Sequence, residues 1–241
     1  MTEVGDALSA GLDGLLMTTD QRPEVLVAGL FALVMVAWTP AWRLTGGIVT
    51  IAHEGGHAVV AVLTGRGLSG IRLHADGSGS TFHVGRNGGI GLVLTAFGGY
   101  PAPALLGLVG ATLVGTGRAA ASLWLVVVLL VATLVHVRNV FGAASVLLTG
   151  AAVVGVAWWG QPALQAAFAA ALSWFLLFGG LRSVRDLQRT RRHRFDEGND
   201  ADALAGLTGI PGGVWAGLFW LLGAAAVVTG AWLLVLGPLP G

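Results

Sequence analysis

His53-Glu54-Gly55-Gly56-His57 is the part of this 241-residue chain best equipped to do chemistry, and apart from these three ionisable residues the stretch from Leu44 to Thr64 is uncharged. On a helix, residues four apart project from one face, so the two imidazoles can share a metal ion while Glu54 stands beside it. Two histidines and an adjoining carboxylate in this spacing suit metal-assisted peptide hydrolysis, in which the carboxylate takes a proton from water. Placement adds a second constraint. An ionisable side chain at bilayer depth costs roughly a few kcal/mol and persists where it pairs, lines a wet cavity or serves a site. Glu54 is the only acidic residue between Glu24 and Asp76. The motif is therefore read as a zinc site inside a membrane; the plainer reading is of side chains that only hydrogen-bond neighbouring helices.

Composition agrees with that placement. Charged residues make up 10% and hydrophobic residues 55% of the chain, and mean hydropathy is +0.79. These values exceed what a soluble core of this length needs and indicate a polytopic membrane protein. Net charge is +1 and all thirteen basic residues are arginine; no broad basic surface is offered to nucleic acid, which is excluded as a partner. Cysteine is absent, so disulfides, thiolate ligands and a cysteine nucleophile are excluded and histidine and carboxylate must supply any metal site. Met1 to Glu24 holds five acidic residues and one arginine, unlike the basic start of a signal peptide. The first apolar helix is accordingly expected to remain in the mature protein.

The uncharged runs divide on a scale of roughly 20 residues per span. Val25 to Trp42 is the first and Leu44 to Thr64, with the motif, the second. Asn87 to Gly117 is the third, interrupted by Gly98-Gly99-Tyr100-Pro101-Ala102-Pro103 and so kinked or split. Ala119 to Val137 is the fourth; Asn139 to Leu181 divides near Trp158-Trp159-Gly160-Gln161-Pro162 into the fifth and sixth; Gly212 to Leu236 is the seventh. Between spans two and three, Ile71, Leu73 and Ala75 alternate with Arg72, His74 and Asp76, then Gly77-Ser78-Gly79 precedes Thr81-Phe82-His83-Val84. That alternation around a turn predicts a β-hairpin, a solvated connection or an edge that aligns an extended substrate. His74 and His83 are expected at its surface.

The expected fold is thus an all-α polytopic membrane protein of about seven transmembrane helices with a small β-hairpin between the second and third. Residues 1–24 form a polar N-terminal segment and 25–241 the membrane domain, with the hairpin over 66–88 and an arginine-rich loop over 182–211. Arg182, Arg185, Arg189, Arg191, Arg192 and Arg194 place that loop in the cytoplasm by the positive-inside rule and suit it to anionic headgroups. The expected location is the cell membrane, with several passes, and the expected contacts are the lipid bilayer and a transmembrane protein substrate.

A catalytic zinc takes three protein ligands and keeps one position open, so a third ligand must come from outside the motif helix. No acidic residue occurs between Asp76 and Asp186. Asp186, Asp196, Glu197, Asp200 and Asp202 are the main candidates, with His136 also possible. Arg182 and Arg189 flank Asp186 by about one turn and favour a salt bridge there. Asp200 is freer, although it and Asp202 also suit a helix start capped by Asn199. Asp200 ranks first and Asp186 second.

These residues resemble the site-2 protease family, most closely its compact branch of bacterial and plant membrane proteins, the M50B-like group. The likeness rests on His53-Glu54-Gly55-Gly56-His57-Ala58, on Gly70-Ile71-Arg72-Leu73-His74-Ala75-Asp76-Gly77-Ser78-Gly79, on Gly99-Tyr100-Pro101-Ala102-Pro103-Ala104-Leu105, and on Arg138-Asn139-Val140-Phe141-Gly142. Asn199-Asp200-Ala201-Asp202-Ala203-Leu204-Ala205 resembles a polar-Asp-Ala segment of that branch and favours Asp200 further. The likeness spans roughly Thr45 to Trp220. It implies regulated intramembrane proteolysis with Zn2+, ligated by His53, His57 and an aspartate, and with Glu54 as the catalytic base. One departure stands out: better-known members take the third ligand from Leu-Asp-Gly, and no Asp-Gly follows Asp76-Gly77 here.

Asn139 and Tyr100 are expected near the substrate, Asn139 either binding its backbone or capping a helix. Two rivals have other mechanisms: a catalytically silent adaptor that keeps the fold, and a transporter in which the buried His and Glu hold a moving ion. The transporter ranks last because no internal repeat with paired broken helices is evident.

Overall fold

The computed structural model describes residues 23–192 and 198–237. Pro23, free of any need for an N–H donor, opens α1 (Pro23–Ala37). The chain breaks at Trp38, and α2 (Thr39–Thr45), with proline in its first turn, leaves at 96° to α1. Arg182 reaches back to this corner, donating to the Val36 carbonyl and lying 4.7 Å from the Trp42 ring centroid. The motif helix α3 (Gly47–Leu63) leads into β1 (Gly67–Leu73) and β2 (Gly79–Val84). Then α4 (Ile90–Phe97) and α5 (Pro101–Gly115) meet at 66° across Gly98-Gly99-Tyr100. After them come α6 (Ala119–His136), α7 (Val140–Trp159), α8 (Pro162–Arg192), α9 (Asp200–Thr208) and α10 (Gly212–Ala231), which is extended by the wider π-helical turn Trp232–Leu236.

Every apolar run is helical, but seven spans are not confirmed. Among the described residues four helices are long and apolar enough to cross a membrane, α6, α7, α8 and α10 with its extension; counting each bent pair as one span raises this to six. The 17 residues of α3 cover only about 25 Å at 1.5 Å per residue, short of a hydrocarbon core of about 30 Å. The arginine-rich stretch is helical as far as Arg192 and again from Asp200 to Thr208. Asp196, Glu197 and Arg194 lie outside the described residues.

Helix α8 is the central post. Lipid is as apolar as leucine, so helices here associate through close fit and small residues. Gly107 of α5 is such a contact: a Cβ on it would lie 2.8 Å from both the Leu177 amide nitrogen and the Ser173 carbonyl oxygen of α8. Gly179 and Gly180 of α8 admit Val49 of α3 and Ala104 of α5 in the same way. Around α8, Ala32, Ala104, Ala111, Ala170, Leu177 and Ala226 form one buried cluster. A second, with Leu123, Leu130, Val146 and Val153, includes Ile71 and Leu73 and so roots the hairpin. In the third, Val184, Leu187, Leu204, Ala216 and Phe219 seat α9 against α8 and α10.

The hairpin is antiparallel, with Ile71 opposite Thr81, Leu73 opposite Gly79, and a bulge between Leu68 and Gly70. Its turn is closed by Asp76, which accepts from the Ser78 amide at 2.9 Å and the Ser78 hydroxyl at 2.7 Å. Those two bonds hold the Asp76 carboxyl below the usual carboxylate range. The outer edge of β1 is already filled: Val137 bridges to Ile71, the Arg138 amide donates to the Ile71 carbonyl at 2.9 Å, and the Asn139 amide donates to the Leu73 carbonyl at 2.7 Å while its oxygen accepts from the Leu73 N–H at 3.2 Å.

Because overpacking typically costs about 1–3 kcal/mol, Gly107→Val should push α5 off α8 and lower the thermal unfolding midpoint of the detergent-solubilised protein. An unchanged midpoint would contradict the close packing described for this pair.

Candidate metal centre

One turn of α3 separates His53 from His57, and their Nε2 atoms lie 3.1 Å apart. The imidazole of His57 is oriented from behind. Its Nδ1 donates at 2.7 Å to the carbonyl oxygen of Thr95, a fully buried residue of α4. A carbonyl only accepts, so Nδ1 carries a proton and Nε2 is the nitrogen turned to the partner cluster. His53 is held by an aromatic stack: the Tyr100 ring meets it edge-on at 4.7 Å, and Phe219 of α10 lies against Tyr100 at 5.1 Å.

The break between α4 and α5 lets this stack approach. A Cβ on Gly99 would fall 2.6 Å from His53 Nε2 and closer still to His57 Nε2. Only glycine leaves that space open.

Asp200 supplies the third atom from the first turn of α9. Its Oδ2 lies 3.2 Å from His53 Nε2 and 3.1 Å from His57 Nε2. That oxygen is buried with no hydrogen-bond partner. Three potential ligand atoms thus form a near-equilateral triangle, the one such group of three among the described residues. The fit to a metal can be judged on edge lengths. Ligands about 2.0–2.1 Å from a tetrahedral zinc stand about 3.3 Å from one another, close to the spacings here, and two imidazoles with a carboxylate are common zinc donors. A cation also removes the cost of directing lone pairs at each other in a buried place.

Glu54 is buried and leaves α3 toward the hairpin. Thr81 of β2 donates its hydroxyl to Glu54 Oε2 at 2.6 Å and to the Glu54 carbonyl at 3.1 Å. Gly79 lies so close that a Cβ would come 2.5 Å from Glu54 Oε1. Thr50 donates to the Gly77 carbonyl at 2.8 Å, a second tether from α3 to the hairpin. His83, on the same face of β2 as Thr81, accepts at Nδ1 from the buried Arg66 at 3.1 and 3.2 Å. Burial, together with the Arg66 charge, pushes its imidazole below the ordinary histidine value. These groups share one open cavity of about 1350 Å³, whose walls include His53, Glu54, His57, Tyr100 and Asp200.

The remaining expected residues are placed elsewhere. Asp186 pairs with Arg182 at 3.6 Å and Arg185 at 3.7 Å, on the cavity wall but outside the triangle. Asp202 pairs with Arg191. His136 bonds to the Ala132 carbonyl of its own helix at 2.9 Å. Asn139 commits its side-chain amide to Leu73, whereas Tyr100 borders the cavity beside His53. Sequence reasoning missed Thr81, Thr95 and Gly99. Thr81 had a weak signal, a hydroxyl on the strand face shared with Gly79 and His83; Thr95 acts through its carbonyl and had none.

Apolar helices gathered around a partly buried His–His–Asp cluster define a membrane protein with a candidate metal centre. Residues 26–231 match the family model described as Peptidase M50B-like, and the chain belongs to that branch of the site-2 protease family. No curated protein and no solved structure matches it.

Any side chain at position 99 enters the triangle. Gly99→Val should therefore leave a folded protein that fails to retain zinc through purification, as read by metal analysis; full retention would show that the two imidazoles are not the metal's ligands.

Proposed function

We propose that this chain is an intramembrane zinc endopeptidase that cleaves transmembrane protein substrates in the cell membrane. The observation that carries the reading is the triangle of His53, His57 and Asp200 beside a buried carboxylate, Glu54, in a chain of a peptidase family. A zinc ion held by the three side chains supplies Lewis acidity and lowers the pKa of water at the site. Glu54 accepts the proton as the water oxygen bonds to the substrate carbonyl carbon, then passes it to the amine nitrogen as the C–N bond breaks. Thr81 fixes Oε2 through its hydroxyl, which leaves Oε1 for the proton.

A helical peptide bond is shielded by its own hydrogen bonds, so the substrate must be extended where it is cut. The outer edge of β1 is occupied by residues 137–139, whereas among the described residues the outer edge of β2 has no backbone partner. Because β2 also carries Thr81 and Gly79 against Glu54, that free edge is where an extended substrate is aligned. Asn139 then acts on substrate through the hairpin it anchors, and Tyr100 borders the scissile segment. The bilayer contacts the outward face of α6, where Val128, Val131 and Val135 are exposed.

Removing a general base typically costs about 10²–10⁴-fold. Glu54→Gln should lose cleavage of a co-expressed membrane substrate by that order while retaining zinc; unchanged cleavage would remove the proton-transfer role. Thr81→Val should lose roughly tenfold or more, the worth of a hydrogen bond to a charged group, and Thr81→Ser should keep most of the activity. A chain that binds zinc but shows no cleavage dependent on Glu54 would be a silent adaptor instead.

A further inference from the structure

Asp200 completes the triangle only while the first turn of α9 is held against α3, and α9 has just nine residues. Its start carries more than an ordinary cap. The Asp202 N–H donates to Asn199 Oδ1 at 3.1 Å, the expected capping bond, and Asn199 Nδ2 donates to Asp202 Oδ2 at 2.7 Å. Onto this pair Arg191, from the last turn of α8, places its guanidinium, donating to Asp202 Oδ1 and to Asn199 Oδ1, the latter at 3.4 Å. The same group sits over Gly212, the first residue of α10, where a Cβ would lie 2.6 Å from both its terminal nitrogens. One guanidinium therefore bonds the end of α8 to the start of α9 and packs against the start of α10.

A cation at a helix N-terminus opposes the helix dipole, so generic capping does not account for it. Other arginines nearby do different things. Arg182 and Arg185 pair with Asp186, and Arg189 is exposed. Among the described residues, only Arg191 is fastened two residues from the third corner of the triangle.

We propose that Arg191 is a positioning residue for the metal centre: by gripping Asp202 and Asn199 it fixes the first turn of α9, so that Asp200 Oδ2 stays within reach of both imidazoles. The inference rests on the metal reading above and concerns affinity for the ion. Groups that orient metal ligands from behind are typically worth about 10–100-fold in metal affinity.

The test uses the full chain in detergent, stripped of metal and titrated with zinc against a chromophoric chelator, with cobalt as a spectroscopic probe of coordination. Arg191→Ala should bind zinc about 10–100-fold more weakly than the unaltered chain and change the cobalt visible spectrum, and Arg191→Lys should recover part of the affinity. Arg189→Ala, which removes the same charge from the same helix, should bind as the unaltered chain does. Where Arg191→Ala fails to fold, Asp202→Asn, nearly identical in shape, should show the same direction of loss. Unchanged zinc affinity in a folded Arg191→Ala, or in Asp202→Asn where that variant stands in, would overturn the proposal, as would an equal loss in Arg189→Ala. Absence of zinc binding by the unaltered chain would instead sink the metal reading, and the clamp's role with it.

Discussion

Two imidazole nitrogens and a carboxylate oxygen face each other at 3.1 to 3.2 Å among apolar helices, and this is the constraint around which the molecule is arranged. Unneutralised, such a cluster is among the more costly things a buried site can hold. A divalent cation turns the same arrangement into a favourable one, and the binding energy then stabilises the fold that brings α3 and α9 together. Each corner has its own support: the Thr95 carbonyl for His57, the Tyr100–Phe219 stack for His53, and the start of α9 for Asp200.

Glycine governs how closely those supports approach. At Gly99 the backbone passes directly beside the imidazoles, and at Gly79 it passes beside the Glu54 carboxylate. Elsewhere the same device joins helix to helix, Gly107 on α8 and Gly180 on Ala104. In a bilayer, where apolar burial gives little drive for association, such contacts supply much of the fit. The hairpin differs in kind. Its polar backbone is satisfied on one edge by residues 137–139, and its hydroxyl and glycine face bear on the Glu54 carboxylate. The molecule thereby joins a His–His–Asp cluster fixed by helices to a strand that borders it.

Much of this was legible in the sequence because its signals are strong and local. His53-Glu54-Gly55-Gly56-His57 states its spacing outright, the hairpin is announced by alternation around Gly77-Ser78-Gly79, and scarcity of acid between Asp76 and Asp186 narrowed the third ligand to a few residues, of which Asp200 is the one beside the imidazoles. Span counting fared worse. Hydropathy registers apolar length and not helix ends or direction, so the run Leu44 to Thr64 counts as a span although α3 has only 17 residues, and the 96° corner at Trp38 leaves no mark; the break before Pro101, by contrast, is announced by its glycines and prolines. Supports through backbone atoms, such as the Thr95 carbonyl, leave no mark on side-chain pattern. Arg191 was hidden by its neighbours: six arginines in a short stretch read as a topology signal, and only tertiary contact separates the one that grips Asp202.

Everything else follows if His53, His57 and Asp200 together hold one divalent cation. X-ray absorption at the zinc edge on the purified chain tests it most directly, alongside metal content of the single variants His57→Ala and Asp200→Ala. One zinc per chain is expected, with nitrogen and oxygen neighbours at about 2.0–2.1 Å, lost or greatly weakened in both variants. A chain that takes up no divalent cation, or one that keeps the same coordination after Asp200 is replaced, would contradict it.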